Sequence, residues 1–87
     1  MMAPTDRDVL VALYSATDGP NWKKNTNWNT GAPLSEWYGV TADQGRVVEL
    51  RLDNNNLQGT IPPDLGKLTA LKSLHLEENH LSGEYVS

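Results

Sequence analysis

Cysteine is absent from the 87 residues, which excludes disulfides, thiolate zinc sites and cysteine nucleophiles together. No apolar run exceeds the six residues Val9 to Tyr14, far short of the roughly 20 that a membrane-crossing helix requires. No membrane span is expected. A basic run is missing too: seven Lys and Arg against eleven Asp and Glu leave a net charge of -4. Nothing in that scattered pattern can neutralise a row of phosphates, so nucleic acid is not an expected partner. None of the eight asparagines sits in an N-x-[ST] acceptor. Asp6, Arg7 and Asp8 also occupy the stretch where an export signal would hold its apolar core. These absences favour a reducing, cytoplasmic compartment, with an extracellular one as the alternative if an upstream signal has been lost.

What is present is a repeat. In a chain this short, about 64% of the surface can be buried by area scaling, enough for one thin core. At an offset of 24, Val47, Leu50, Leu52, Asn55, Leu57 and Gly59 reappear as Leu71, Leu74, Leu76, Asn79, Leu81 and Gly83. The pattern is L-x-x-L-x-L-x-x-N-x-L-x-G. Alternation turns Leu50 and Leu52, then Leu74 and Leu76, inward on two short strands that would stack in parallel. Glu49, Arg51 and Asp53, then Ser73, His75 and Glu77, face outward. Asn55 and Asn79 fall where the chain leaves the strand, and an inward amide there satisfies backbone groups that the turn would orphan, giving a short asparagine ladder. Gly59 permits a conformation that a side chain resists, and Pro62 and Pro63 predict an extended return path outside any sheet. Asp64 to Leu68 has room for one helical turn, with Leu65 and Leu68 facing the core.

Upstream the pattern changes. Pro4-Thr5-Asp6-Arg7-Asp8 reads as a helix start, with Thr5 as N-cap and Asp8 completing a capping box. Val9, Leu10, Ala12, Leu13 and Ala16 form an apolar stripe over a helix of about residues 6–17, which Gly19-Pro20 ends. Residues 21–45 are rich in Asn, Thr and Gly yet hold Trp22, Trp28 and Trp37, a composition that argues for a packed loop with the three indoles as structural core. Val40 to Val48 reads as a small hairpin turning at Asp43-Gln44-Gly45. A repeat array needs an atypical terminal unit over its first repeat, and residues 3–46 are the candidate. Residues 47–70 then form the first repeat and 71–87 a truncated second one.

The run from Val47 to Pro62, ending in Gly-Thr-Ile-Pro, resembles the plant-type subclass of leucine-rich repeat proteins. Tyr14 to Trp22, Asn27-Trp28 and Trp37-Tyr38-Gly39-Val40-Thr41 are similar to the helical N-terminal cap of the same family, and the resemblance spans residues 5–84. It implies an α/β fold: a fragment of a right-handed leucine-rich repeat solenoid with a helical N-terminal cap. Extracellular plant receptors of this type usually carry a cysteine pair around the W-x-G-V-T words, where Ser35 and Ala42 stand here. The cysteine-free form looks more like intracellular repeat proteins of algae and other protists, some of which resemble the recognition arm of multidomain GTPases or kinases. The second repeat departs from the pattern at Glu84-Tyr85-Val86, where the family places its Ile-Pro words.

No catalytic constellation is present. His75 and His80 lack any Cys, H-E-x-x-H or G-x-S-x-G context, and Asp53 beside Glu77 supplies too few oxygens for calcium. No metal, cofactor or enzymatic activity is expected. The remaining candidate is the outward strand face: Glu49, Arg51, Asp53 and Asn54 with Ser73, His75, Glu77 and Glu78. On a solenoid this concave face varies without disturbing the core and binds partners. The expected function is recognition of a protein or peptide ligand in signalling. The alternative is the recognition segment of a larger receptor-like kinase or GTPase. Leu74, Leu76 and Leu81 would end the stack with an uncovered apolar face, inviting self-association through the second repeat.

Overall fold

The N-terminal helix begins where the sequence places its cap. In the computed structural model, which describes residues 5–82, helix α1 spans Asp6–Ala16. Asp8 N donates to Thr5 Oγ1 and Thr5 N donates to the Asp8 carboxylate, both at 3.1 Å, so two orphan donors are satisfied reciprocally. Val9, Leu10 and Leu13 are buried. Ala16, expected on the apolar stripe, is exposed, and Thr17 is buried beyond it. The helix ends on Ala16, the last residue of the stripe and one short of the expected 17. Thr17 Oγ1 donates to Leu13 O at 2.6 Å, which makes burial of its hydroxyl tolerable, and Asp18 then turns the chain at a φ of 62°.

Residues 18–39 hold two single helical turns, Gly19–Asn21 and Leu34–Glu36, around an aromatic cluster. Trp22 and Trp28 lie 4.7 Å apart by ring centroids, Trp28 and Trp37 5.1 Å, and Tyr14 joins from the helix at 5.3 Å from Trp22. Trp22, Trp28 and Trp37 are all buried. Each indole N–H donates to a carbonyl: Trp22 to Thr17, Trp28 to Tyr38 and Trp37 to Ala32, at 2.8–3.0 Å. Large rings bury here without an unpaired polar atom. Arg7 ties the helix to this segment, donating to Thr30 O at 2.7 Å and Ala32 O at 2.9 Å with its guanidinium 5.2 Å from the Trp37 ring centroid.

Strand β1 (Val40–Asp43) pairs antiparallel with β2 (Arg46–Arg51). The turn between them is the two residues Gln44-Gly45 at φ 52° and 79°, the left-handed pair that fits a tight hairpin; Asp43 belongs to the strand. Strand β4 (Ser73–His75) lies parallel on the other side of β2, with Leu50 opposite Leu74, reproducing the 24-residue offset. The sheet order is β1-β2-β4.

The return path differs from expectation. Strand β3 (Gln58–Thr60) pairs in parallel with β5 (His80–Ser82) in a second, two-stranded sheet. The three residues ahead of the prolines keep their N–H groups and can enter a ladder; only from Pro62 is pairing impossible. Gly59, at a φ of 91°, packs against the carbonyl of Ala16 at the helix end, where a Cβ would lie 2.6 Å from that oxygen. Pro63–Lys67 makes the expected helical turn, with Leu68 buried and Leu65 half-buried. Buried apolar residues from Val9 to Leu76 form one core cluster. Pro4, Gly83 and Glu84-Tyr85-Val86 lie outside the described residues, as do the first residue of 3–46 and the end of 71–87.

One buried carboxylate joins the helix to the sheet. Asp6 accepts from Val47 N at 2.8 Å and from Arg46 Nε at 3.1 Å, and Arg46 Nη2 continues to Thr69 Oγ1 at 2.8 Å. The Val47 N–H is buried and has this carboxylate in place of a strand partner, so removing the acceptor costs desolvation as well as the bond. Asp6→Ala is expected to lower the unfolding free energy by about 2–3 kcal/mol in urea titration; a loss below about 0.5 kcal/mol would contradict that role.

Candidate partner-binding face

The outward face depends on how its strands are held in register. Asn55, buried, accepts from Lys24 N at 2.7 Å and donates to Lys24 O at 2.8 Å. Asn79 Oδ1 accepts from both Asn55 N and Leu57 N at 2.9 Å, and its Nδ2 donates to Leu52 O and Leu76 O, also at 2.9 Å. The two amides do not bond one another. Each reaches the backbone of the coil before it, and the first coil is the Trp-bearing segment.

With Leu50 and Leu74 turned inward, Glu49 lies beside Ser73 and Arg51 beside His75 on the opposite side. The ladder continues past the strands: Leu52 N donates to His75 O and Asn54 N to Glu77 O, both at 2.9 Å, which sets Asp53 beside Glu77. Arg51 Nη2 lies 3.0 Å from Glu49 Oε2, with side chains 60% and 31% exposed. Such a pair contributes about 0–1 kcal/mol, so a partner can take either charge at small cost. His75 Nε2 is 3.4 Å from Ser73 Oγ, and its Nδ1 is 3.7 Å from Glu77 Oε2. His80 belongs to β5 in the other sheet, so the two histidines stand on different surfaces. Among the described residues no three His, Asp or Glu side chains gather closely enough to hold a metal ion.

Four residues join this face that sequence reasoning did not include. Thr41 pairs with Glu49 from β1. Tyr38 is, among the described residues, the large apolar side chain that stays exposed, at 36%. Lys24 Nζ stands 5.6 Å from its ring centroid, and Lys23 Nζ donates to Asn54 Oδ1 at 2.9 Å. Gly39 makes this junction close: at a φ of 80°, a side chain there would collide with the Arg51 carbonyl. The signal in sequence was the hairpin itself, whose alternation carries Thr41 outward once β1 is set against β2.

At the far end, Leu71, Leu74 and Leu81 are half-buried, while Leu76, expected on the uncovered end, is buried at 5% exposure. Leu71 and Leu74 line an open cleft of about 590 Å³ with Ile61 and Leu68.

The Leucine Rich Repeat family model matches residues 46–68. The chain belongs to the leucine-rich repeat proteins, in their plant-type form. It is 44% identical over 59 residues to Protein MALE DISCOVERER 2 of Arabidopsis thaliana, a match to 66% of this chain and 9% of that protein. Receptor-like kinase TMK4 of Arabidopsis thaliana is 31% identical over 82 residues, covering 94% of this chain and 8% of the kinase. The chain therefore spans about a tenth of the length of the curated relatives it matches. Among solved structures, a leucine-rich repeat protein from Bacteroides eggerthii superposes with a TM-score of 0.68 at 32% identity, over 79% of this chain and 12% of that one. PEPR1-AtPEP1 superposes at 0.69 and 22% identity, over 87% of this chain and 11% of that one, and shows the fold.

Within the leucine-rich repeat pattern, Asn54 and Glu78 occupy equivalent positions just before the inward asparagine, at φ 50° and 59°. Asn tolerates this left-handed region, whereas Glu carries the ordinary side-chain penalty. Glu78→Asn is expected to raise stability by about 0.5–1 kcal/mol, read as a higher urea midpoint. An unchanged or lower midpoint would contradict the strain.

Proposed function

We propose that this leucine-rich repeat chain is a non-enzymatic recognition module that binds a protein or peptide across the outward face of β1, β2 and β4. The observation that carries the reading is a division of labour within each strand. Leu50, Leu52 and the asparagine amides are committed to the core and the register, whereas Arg51, Glu49 and His75 have only weak surface contacts. Their replacement leaves the scaffold intact, which is the property a recognition surface requires.

The contact residues of this proposal are Glu49, Arg51, Asp53, Asn54, Ser73, His75, Glu77 and Glu78. Residues 3–46 act as an N-terminal cap: α1 and the Trp cluster cover the inner end of the first repeat and share its core. Two repeat strands present well under the roughly 800 Å² per partner of a standard interface, so the isolated chain binds weakly. Relatives that are receptor-like kinases and are about ten times longer support a setting in which the module is the recognition segment of a larger signalling protein. They also favour the cell surface over the cytoplasmic compartment that cysteine content suggests.

Binders selected on the immobilised chain from a random peptide library test the reading. Arg51→Ala and His75→Ala are expected to weaken them by about tenfold each, with Lys67→Ala, in the helical turn before β4, as a neutral control. Equal losses for all three would remove the face from consideration. Self-association through Leu71, Leu74 and Leu81 is a separate expectation: a concentration-dependent dimer in sedimentation, against which a clean monomer at millimolar concentration would count.

A further inference from the structure

We infer that the rim of this face discriminates ligands by the order of their charges. The inference rests on the recognition reading above and adds the chemistry of the partner. Three successive coils, joined by the asparagine amides, bring Lys23-Lys24, Asp53-Asn54 and Glu77-Glu78 to the same edge. The steps are direct: Lys23 N donates to Asn55 O at 3.0 Å, Lys23 Nζ to Asn54 Oδ1 at 2.9 Å, and Asn54 N to Glu77 O at 2.9 Å. Two exposed cations thus begin the edge and two exposed anions end it. Among the described residues, neither lysine nor Glu78 has an opposite charge within ion-pair distance, so these charges stay available.

The partner that fits is an extended peptide lying across the coils, with an acidic residue over Lys23 and Lys24 and a basic residue over Glu77 and Glu78. Two inter-coil steps of about 4.8 Å correspond to about three residues of extended chain. Tyr38, beside Lys24, offers an aromatic surface to an apolar residue next to the acid, and exposed Tyr is a favoured anchor at binding sites. A second copy rotated by half a turn would also match the gradient, but it would bring together two chains of net charge -4 each, which weighs against it.

Peptides selected from a random library on the full 87-residue chain provide the test, with two double variants, Lys23→Glu/Lys24→Glu and Glu77→Lys/Glu78→Lys, and the quadruple variant that reverses the gradient. Selected peptides are expected to carry an acid and a base about three residues apart. Exchanging those two residues within a peptide should weaken binding at least tenfold to the unaltered chain and restore it on the quadruple variant. Peptides that bind with no charge order, or that tolerate the exchange, would overturn this inference and leave the recognition reading standing. A library that yields no binder dependent on the face would overturn both. A dimer in sedimentation that either double variant abolishes would assign the edge to a second copy and overturn the peptide.

Discussion

The bond between an inward asparagine amide and the backbone of the preceding coil is the constraint on which the rest of this structure depends. A coil that turns off its strand leaves N–H and C=O groups facing the interior, where an unpaired group costs about 1–3 kcal/mol. Asn79 satisfies two donors and one acceptor around the turn of the first repeat and one carbonyl, Leu76 O, of its own coil, and Asn55 satisfies one donor and one acceptor on Lys24. An amide suits the position because it accepts and donates from one planar group. A carboxylate could only accept, and leucine could do neither. The bond also sets the register that places Arg51 beside His75, so the outward surface inherits its geometry from two side chains that never reach it.

The N-terminal segment is joined to the repeats by bonds of the same kind. Lys24 presents its backbone to Asn55 as the first repeat presents its own to Asn79, so a loop without repeat sequence supplies the first coil. It holds that shape because the Trp cluster is internally satisfied and because Arg7 binds two of its carbonyls from the helix. Asp6 closes the arrangement on the far side, linking the helix start to the first residues of β2. Helix, loop and first strand therefore share one core and one network, and the surface residues Tyr38, Lys23 and Lys24 are positioned by it.

Much of this was legible in sequence, for identifiable reasons. The parallel pairing of Leu50 with Leu74 follows from a repeat offset of 24, and the start of α1 from Thr5 and Asp8, because those signals are local or periodic. The helix end was less visible: it falls at Ala16, and Asp18 turns the chain at a φ of 62° one residue before the Gly19-Pro20 that the sequence offers as the stop. The pairing of β3 with β5 was hidden by the prolines beside it, which forbid a ladder only from Pro62 onward. Asp6 was readable as a first-turn acid and not as the acceptor for Val47, since that bond joins residues 41 apart. For the candidate face, alternation identified the repeat residues, whereas Tyr38, Lys23 and Lys24 reach it through the folded path of a non-repeating loop.

Asn55 holds the N-terminal loop in place as the first coil of the solenoid. Amide hydrogen exchange on Asn55→Ala measures that attachment. The prediction is that protection falls together at Lys24, at Trp28 and Tyr38 in the loop, and at Arg51, whose N–H bonds Gly39 O at 2.7 Å, because these groups open as one unit. Faster exchange at Lys24 alone, with Trp28, Tyr38 and Arg51 protected as before, would contradict it.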